Sequence, residues 1–383
     1  MELRRKMLGL IARVGKQFCS LFNTDDKIWV FGAWKGQLYS DNSKYLFQYI
    51  LENHPEIHPI WITRNNKVLF ELRKNGLPVQ KRFSLNGFYS IVKAGFAFET
   101  EGDQDISPFM NKKTKVIQLW HGVAPKKANW NGFNQDGDRR RTNYWMASSE
   151  QNKGTLQELF GMSSNHIYVT GYPRNDTFVK PHVQHPVIQE LNQKYSNYKK
   201  VIYMPTHRNF GSEGMAFSKE TMFALDKKLR ERDIVMVYKP HFHELQNYLD
   251  IENEFTNIVL AKDQEKYQDV YGYICDFDLL ISDYSSIIYD FLCAKKPIVL
   301  FPYDLEHFRT SDAGLFDYYE GYPAGPFCLD WDQVVEQMMK LLDNDHEWEE
   351  KRETCRRLFH PFDDGNNCER VYEAAVSLVG KKL

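Results

Sequence analysis

An α/β fold in two domains, each a parallel sheet with crossover helices, is what this sequence predicts, and three observations predict it. The chain has 383 residues, more than one hydrophobic core ordinarily serves, so length alone implies two domains of roughly 150 to 200 residues. Short β-branched or aromatic runs bounded by turn residues alternate with helix-length segments, which is the sequence habit of βαβ units. The alternation occurs twice, once in each half. With 42% hydrophobic and 26% charged residues, the composition is that of a folded globular chain.

Taken in order, residues 1–24 read as a basic amphipathic helix. Leu3, Met7, Leu10, Ile11, Val14 and Phe18 keep helical spacing, while Arg4, Arg5, Lys6, Arg13 and Lys16 add positive charge, so the helix either lies on a membrane surface or docks on its own domain. Residues 25–176 form the first Rossmann-like domain, with strands expected near Ile28–Phe31, His58–Ile62, Phe96–Glu99 and Val116–Leu119 and a helix near Ser43–Asn53. Residues 177–200 carry prolines and polar residues and read as the interdomain connection. Residues 201–383 form the second Rossmann-like domain with the terminal helices. Its strands are expected near Val201–Met204, Ile234–Tyr238, Ile258–Leu260, Leu279–Ile281 and Ile298–Phe301, and its helices near Lys219–Arg232 and Ser285–Cys293.

Bulk properties exclude several function classes. A net charge of −2 supplies no field to hold nucleic acid. The six cysteines are scattered, form no Cys-x-x-Cys pair and have no histidines beside them, which fits reduced thiols in a cytoplasmic protein and no zinc site. No run of about 18 apolar residues is present to span a bilayer, and no secretory leader is recognisable.

Ligands of open α/β sheets bind beyond the carboxyl ends of the strands, so the chemistry is sought there. After the strand ending at Leu119 comes Trp120-His121-Gly122, followed by Val123-Ala124-Pro125-Lys126-Lys127. An imidazole can accept a hydroxyl proton at neutral pH and a following glycine admits substrate close to the backbone. His121 is therefore the general-base candidate, the plainer reading being a histidine that only closes a loop. Lys239-Pro240-His241-Phe242-His243 follows another strand and offers Lys239 and His241 as donors to a departing phosphate, unless the proline merely ends the strand. The run Leu279 to Asp290 contains Ser282-Asp283-Tyr284-Ser285-Ser286 and turns from an apolar strand into a helix. Free N–H groups and serine hydroxyls at such a turn suit an anion, although Ser285 is equally a helix cap. Asp290 either accepts ribose hydroxyls or forms a salt bridge. Thr206 and Arg208, in Pro205-Thr206-His207-Arg208, are phosphate-ligand candidates. Arg174, in Gly171-Tyr172-Pro173-Arg174-Asn175-Asp176, lines the cleft or belongs to a surface turn.

In this order His121-Gly122, Pro205-Thr206-His207-Arg208, Lys239-Pro240-His241, Ser282 to Ser286, Lys295-Lys296-Pro297-Ile298, the run Phe301 to Glu306 and Pro323-Ala324-Gly325-Pro326 resemble the CDP-glycerol:glycerophosphotransferase family. The likeness runs from about Phe31 to Arg370. It implies a GT-B-like fold, two Rossmann-like domains whose parallel sheets face across a cleft. It also implies CDP-glycerol as donor, a teichoic acid or capsule acceptor, and work at the cytoplasmic face of the plasma membrane. The family's two essential histidines fall on His121 and His241 and its donor-phosphate serines on Ser285 and Ser286. Gly122, Lys126, Arg174, Thr206, Arg208, Lys239, Ser282, Asp283, Asp290 and Glu306 complete the expected substrate-binding set. The chain departs from the family pattern at His207 and at Gly122-Val123. The expected reaction transfers glycerol phosphate to an acceptor hydroxyl and releases CMP, with no tightly bound cofactor and no site that calls for Mg²⁺. A GT-B glycosyltransferase or sugar-nucleotide epimerase, which would release CDP or UDP, and a non-catalytic module for anionic polymers are the rivals.

Overall fold

The computed structural model, which describes residues 15, 17–127, 144–180, 183–206, 218–240, 254–263, 265–311 and 314–379, contains two parallel sheets. The strands are β1 Asp25–Phe31, β2 His58–Thr63, β3 Val79–Lys81, β4 Ala94–Glu99, β5 Lys115–Gln118, β6 Tyr144–Ala147, β7 Ile167–Val169, β8 Lys199–Met204, β9 Ile234–Tyr238, β10 Ile258–Leu260, β11 Leu279–Ser282 and β12 Ile298–Leu300. The helices used below are α1 Asp41–Asn53, α2 Asn66–Lys74, α3 Leu85–Lys93, α4 Glu150–Phe160, α5 Pro186–Lys194, α6 Lys219–Arg230, α7 Ile287–Phe291, α8 Leu305–Ser311, α9 Tyr318–Gly321, α10 Trp331–Asp343, α11 His346–Phe359 and α12 Asn367–Ser377.

The first sheet has the order β3-β2-β1-β4-β5-β6-β7 and the second β10-β9-β8-β11-β12. Both are doubly wound, and each reverses its direction of winding at one place, between β1 and β4 in the first and between β8 and β11 in the second. A crevice opens at such a switch point because the flanking connections leave to opposite faces.

The strand sequences suit burial on both faces. In β1, Trp29 and Phe31 point to one side, with Phe96, Phe98, Ile117 and Leu119, and are covered by Leu46, Phe47 and Ile50 of α1. The alternate residues Val30, Ile62, Ala97 and Val116 pack against Ile91 of α3, Ile106 and Met110. In the second sheet Val201, Tyr203, Met236, Tyr238, Leu279 and Ile281 are covered by Met222, Leu225 and Leu229 of α6 and by Val334, Met338 and Leu341 of α10.

The described residues of Met1–His121, Trp130–Asp176 and Asp364–Leu383 form one compact unit, and those of Gly122–Asn129 and Thr177–Asp363 form the other. The division departs from the expected one in three places, the first being the described part of Gly122–Asn129, which groups with the second unit. The terminal helix α12 belongs to the first unit, where Cys368, Val371 and Ala375 join the core around Trp29 and Phe31. Asp176 fixes its start, its two carboxylate oxygens accepting from the N–H groups of Asn367 (2.9 Å) and Cys368 (3.0 Å). Residues 177–200 are not a bare connection, for they contain α5, which begins on Pro186, is capped by His185 and buries Val187, Ile188 and Leu191. Proline suits a first helical turn, which needs no donor there.

Most of the expected N-terminal helix lies outside the described residues. Its end is anchored to the first unit by Asn111, whose amide donates to the carbonyls of Cys19 (2.9 Å) and Phe22 (3.0 Å). No described helix is long and apolar enough to cross a membrane.

Candidate active site

In the first unit the β5 end, next to the switch point, delivers His121. It is half-buried, and its Nδ1 lies 3.0 Å from the Thr100 carbonyl, just past β4. A carbonyl can only accept, so Nδ1 carries the proton and Nε2 of the neutral ring keeps its lone pair. The rings of Trp120 and Trp34 flank it with centroids 4.0 and 5.7 Å away.

Two layers of buried polar groups hold this histidine. Asp105 accepts from Thr100 N (2.8 Å), Glu101 N (2.8 Å) and Lys35 N (2.6 Å), tying the loop after β4 to the loop after β1. Burial pushes the Asp105 carboxyl up, and those backbone donors oppose the shift. On the other side, the Asn42 amide donates to the carbonyls of Leu119 (3.3 Å) and Trp120 (2.8 Å), immediately before His121. Asn42 in turn accepts from Arg174 N, and the Arg174 guanidinium pairs with Asp41 at 2.6 Å. Trp34, Lys35, Asp41 and Trp120 all have positive φ, near +49, +56, +65 and +56°. Such left-handed backbone in bulky residues persists only where surroundings over-determine it, and it concentrates at functional sites.

Arg174, expected among the substrate-binding residues, is 1% exposed, and its pair with Asp41 supports the backbone that leads into His121. Asp41, Asn42, Thr100 and Asp105 were not singled out from the sequence. The only local trace of them is a polar run directly after β4 and another opening α1.

In the second unit β9, β8 and β11 are neighbours, and their carboxyl ends bring Lys239, Thr206 and the Ser285-Ser286 turn to one edge. Lys239 N donates to Tyr203 O at 2.9 Å. Burial alone pushes the Lys239 ammonium below the usual lysine range, and among the described residues no carboxylate lies within ion-pair distance of it. The helix expected from Ser285 starts two residues later, as α7, with Ser286 at the cap position and no side-chain cap bond. Ser285 Oγ accepts a long hydrogen bond of 3.4 Å from Ile287 N. Both serines are half-buried.

Ser282 and Asp283 build this edge from beneath. Ser282 Oγ donates to Met204 O at 2.6 Å, while Asp283 accepts from Thr206 N (2.9 and 3.2 Å) and Tyr284 N (2.6 Å). They are 0 and 1% exposed, so their bonds fix the strand ends and do not face solvent. Asp290 is 0% exposed, accepts from the Tyr271 hydroxyl at 2.8 Å and lies 3.9 Å from His360 Nε2. Glu306 is an exposed residue of α8 paired with Arg309. Gly122 has φ near +129°, a conformation reserved to glycine. Lys126 pairs antiparallel with Leu315 and sets its ammonium 5.2 Å from the Phe308 ring, which stacks on Tyr284 at 3.9 Å. His241 and Arg208 lie outside the described residues. Among the described residues no group of three or more His, Cys, Asp or Glu side chains converges on a metal position.

Comparison with known proteins places this arrangement. The sequence profile of the CDP-glycerol:poly(glycerophosphate) glycerophosphotransferase family matches residues 16–377. A teichoic acid glycerol-phosphate transferase of Staphylococcus aureus is 23% identical over 364 residues, which cover 89% of this chain and 90% of that protein. A teichoic acid poly(glycerol phosphate) polymerase of Staphylococcus epidermidis is 26% identical over 379 residues, 91% of this chain but only 50% of that longer protein. Among solved structures, the wall teichoic acid polymerase TagF superposes with a TM-score of 0.77 over 99% of this chain and 98% of that one, at 21% identity. The fold is thus GT-B-like, with two Rossmann-like domains.

Proposed function

The chain belongs to the CDP-glycerol:poly(glycerophosphate) glycerophosphotransferase family, and we propose from that premise that it transfers glycerol phosphate from CDP-glycerol to a hydroxyl of a teichoic-acid-type acceptor, with His121 as general base. The observation that carries the reading is the hydrogen bond between His121 Nδ1 and the Thr100 carbonyl, because it leaves Nε2 as the proton acceptor. The acceptor oxygen attacks the glycerol-bearing β-phosphorus and its proton passes to His121 Nε2. The bond from that phosphorus to the bridging oxygen breaks, and CMP leaves with the bond's electron pair. Lys239 and the Ser285-Ser286 turn bind the phosphates and stabilise the charge that develops on CMP. His241 and Arg208 complete this set in the sequence reading.

Work at the membrane surface is part of the proposal. Phe18, Leu21 and Phe22 are exposed, as are Phe83, Leu85, Phe88 and Tyr89 at the start of α3, and Asn111 links the two segments by donating to Cys19, Phe22 and Val92 carbonyls. Aromatic and aliphatic groups standing in water on one unit suit the interfacial zone of a bilayer.

The test is incubation with CDP-glycerol and a panel of teichoic and capsular acceptors, with CDP-ribitol as a second donor. CMP release supports phosphotransfer. Release of CDP or UDP from a sugar nucleotide, with CDP-glycerol untouched, would replace it by sugar transfer, and polymer binding without turnover by a binding module.

A further inference from the structure

At the carboxyl edge of the sheet that carries His121, the loops after β1, β2 and β3 bring three cations together. Arg82, directly after β3, is 3% exposed. Its Nη2 donates to the carbonyls of Gln104 and Lys35, whereas its Nε has no acceptor among the described residues. Arg64, directly after β2, is exposed and hydrogen-bonds through its backbone to Gly36 O at 2.8 Å. Gly36 separates the two side chains: a Cβ there would stand 2.7 Å from Arg82 Nη2 and 3.4 Å from Arg64 Cγ. Lys35, beside them, pairs with Glu101 at 3.3 Å. Among the described residues no carboxylate lies within ion-pair distance of either guanidinium, and Asp105, the nearest buried acid, spends its oxygens on the backbone donors already described. Two arginines held close without a counter-ion repel each other, and burial of one raises the cost. Accordingly burial, with Arg64 second, pushes Arg82 down to about 10.

We infer that the exposed Arg64, beside Gly36, binds a phosphodiester of the acceptor, with the buried Arg82 adding its charge from beneath. The inference rests on the reading of His121 as the base. A phosphate diester supplies the missing counter-charge and matches the planar fork of arginine. The subsite is joined to the base by a short path: Lys35 N to Asp105, Asp105 to Thr100 N, and the Thr100 carbonyl to His121. A chain already ending in glycerol phosphate carries its terminal hydroxyl one glycerol away from its own phosphodiester. The subsite therefore selects acceptors that bear such a unit and sets the hydroxyl at Nε2.

The experiment compares wild type, Arg64→Ala and Arg82→Lys with a synthetic glycerol-phosphate trimer, a neutral analogue lacking phosphate, and a disaccharide-diphosphate lipid analogue lacking glycerol phosphate. Calorimetric affinity for the trimer is expected to fall about tenfold to a hundredfold in Arg64→Ala, the scale of a lost charge-assisted hydrogen bond. KM for the trimer rises in step, with CDP-glycerol affinity unchanged. The neutral analogue shows no difference between variants. Unchanged trimer affinity in Arg64→Ala overturns the subsite, whether or not Arg82→Lys folds. A loss confined to the diphosphate lipid analogue overturns the assignment to the acceptor's phosphodiester. Absence of CMP release by wild type refutes the phosphotransfer reading instead, and the binding measurements still decide the subsite.

Discussion

Replacing His121 by alanine tests the chemistry most directly. The ring has two nitrogens, and Nδ1 is spent at 3.0 Å on the Thr100 carbonyl, so the whole capacity to take a proton rests on Nε2. The rings that flank it are the indoles of Trp34 and Trp120, which accept no proton. The full contribution of a positioned base is then lost, about 10² to 10⁴ in kcat, or roughly 2.7 to 5.4 kcal/mol at ~1.36 kcal/mol per tenfold. The base acts on the acceptor hydroxyl and not on the donor, so calorimetric affinity for CDP-glycerol should stay within about twofold. CMP release under saturating donor and acceptor is the assay. Asp105→Asn should show a milder fall in kcat, because the Thr100 carbonyl that orients the ring loses its anchor. Turnover within threefold of wild type in His121→Ala would refute the assignment.

Lys239 makes a pH-dependent prediction. Burial holds its folded pKa below that of the unfolded lysine, so between the two values the unfolded chain binds more protons and stability rises with pH. A bound phosphate restores the charge, so CDP-glycerol binding should take up protons in that alkaline window; calorimetry in buffers of different ionisation enthalpy reads this, and uptake that survives in Lys239→Met would exclude Lys239 as its source. Asp176→Ala removes the acceptor of two buried N–H groups at the start of α12 and should cost about 2 to 4 kcal/mol, a fall in Tm of roughly 5 to 10 °C for a unit of this size; an unchanged Tm would show that α12 needs no such anchor. For the membrane, joint replacement of Phe83, Leu85 and Phe88 by serine should reduce flotation with anionic vesicles while a soluble acceptor is still turned over, and failure of the wild-type protein to float would remove the surface-binding proposal.

Strands were legible where both faces are buried, because such a strand reads as a short continuous apolar run. Ile234–Tyr238 is the clearest case, buried at every position. β3, β6 and β7, of three, four and three residues, escaped notice; β3 carries a single apolar residue, Val79, whereas the equally short β10 and β12 are apolar throughout and were read. The membership of α12 was hidden for another reason. Its anchoring contacts join residues 191 and 192 positions apart, and no local pattern in the last residues records that Asp176 is waiting for them.

The candidate site divides along the same line. His121, Lys239 and the Ser285-Ser286 turn were readable because a polar residue directly after an apolar strand stands at the carboxyl edge whatever the rest of the chain does. Whether such a residue faces a ligand or the protein is a separate question, which spacing leaves open, since Arg174, Asp283 and Asp290 have the same kind of sequence setting. What separates them is compensation. Arg174 meets Asp41 at 2.6 Å, Asp283 meets the N–H groups of Thr206 and Tyr284, and Asp290 meets Tyr271, each a long-range or folded-state partner. Lys239, Arg64 and Arg82 meet no carboxylate among the described residues. A buried or crowded charge left without a counter-charge costs stability in the free protein, and a phosphate-rich donor and acceptor are the groups whose binding offsets that cost. The residues that weaken the empty fold are therefore the ones assigned to substrate, and those that close on their own chain are assigned to holding it.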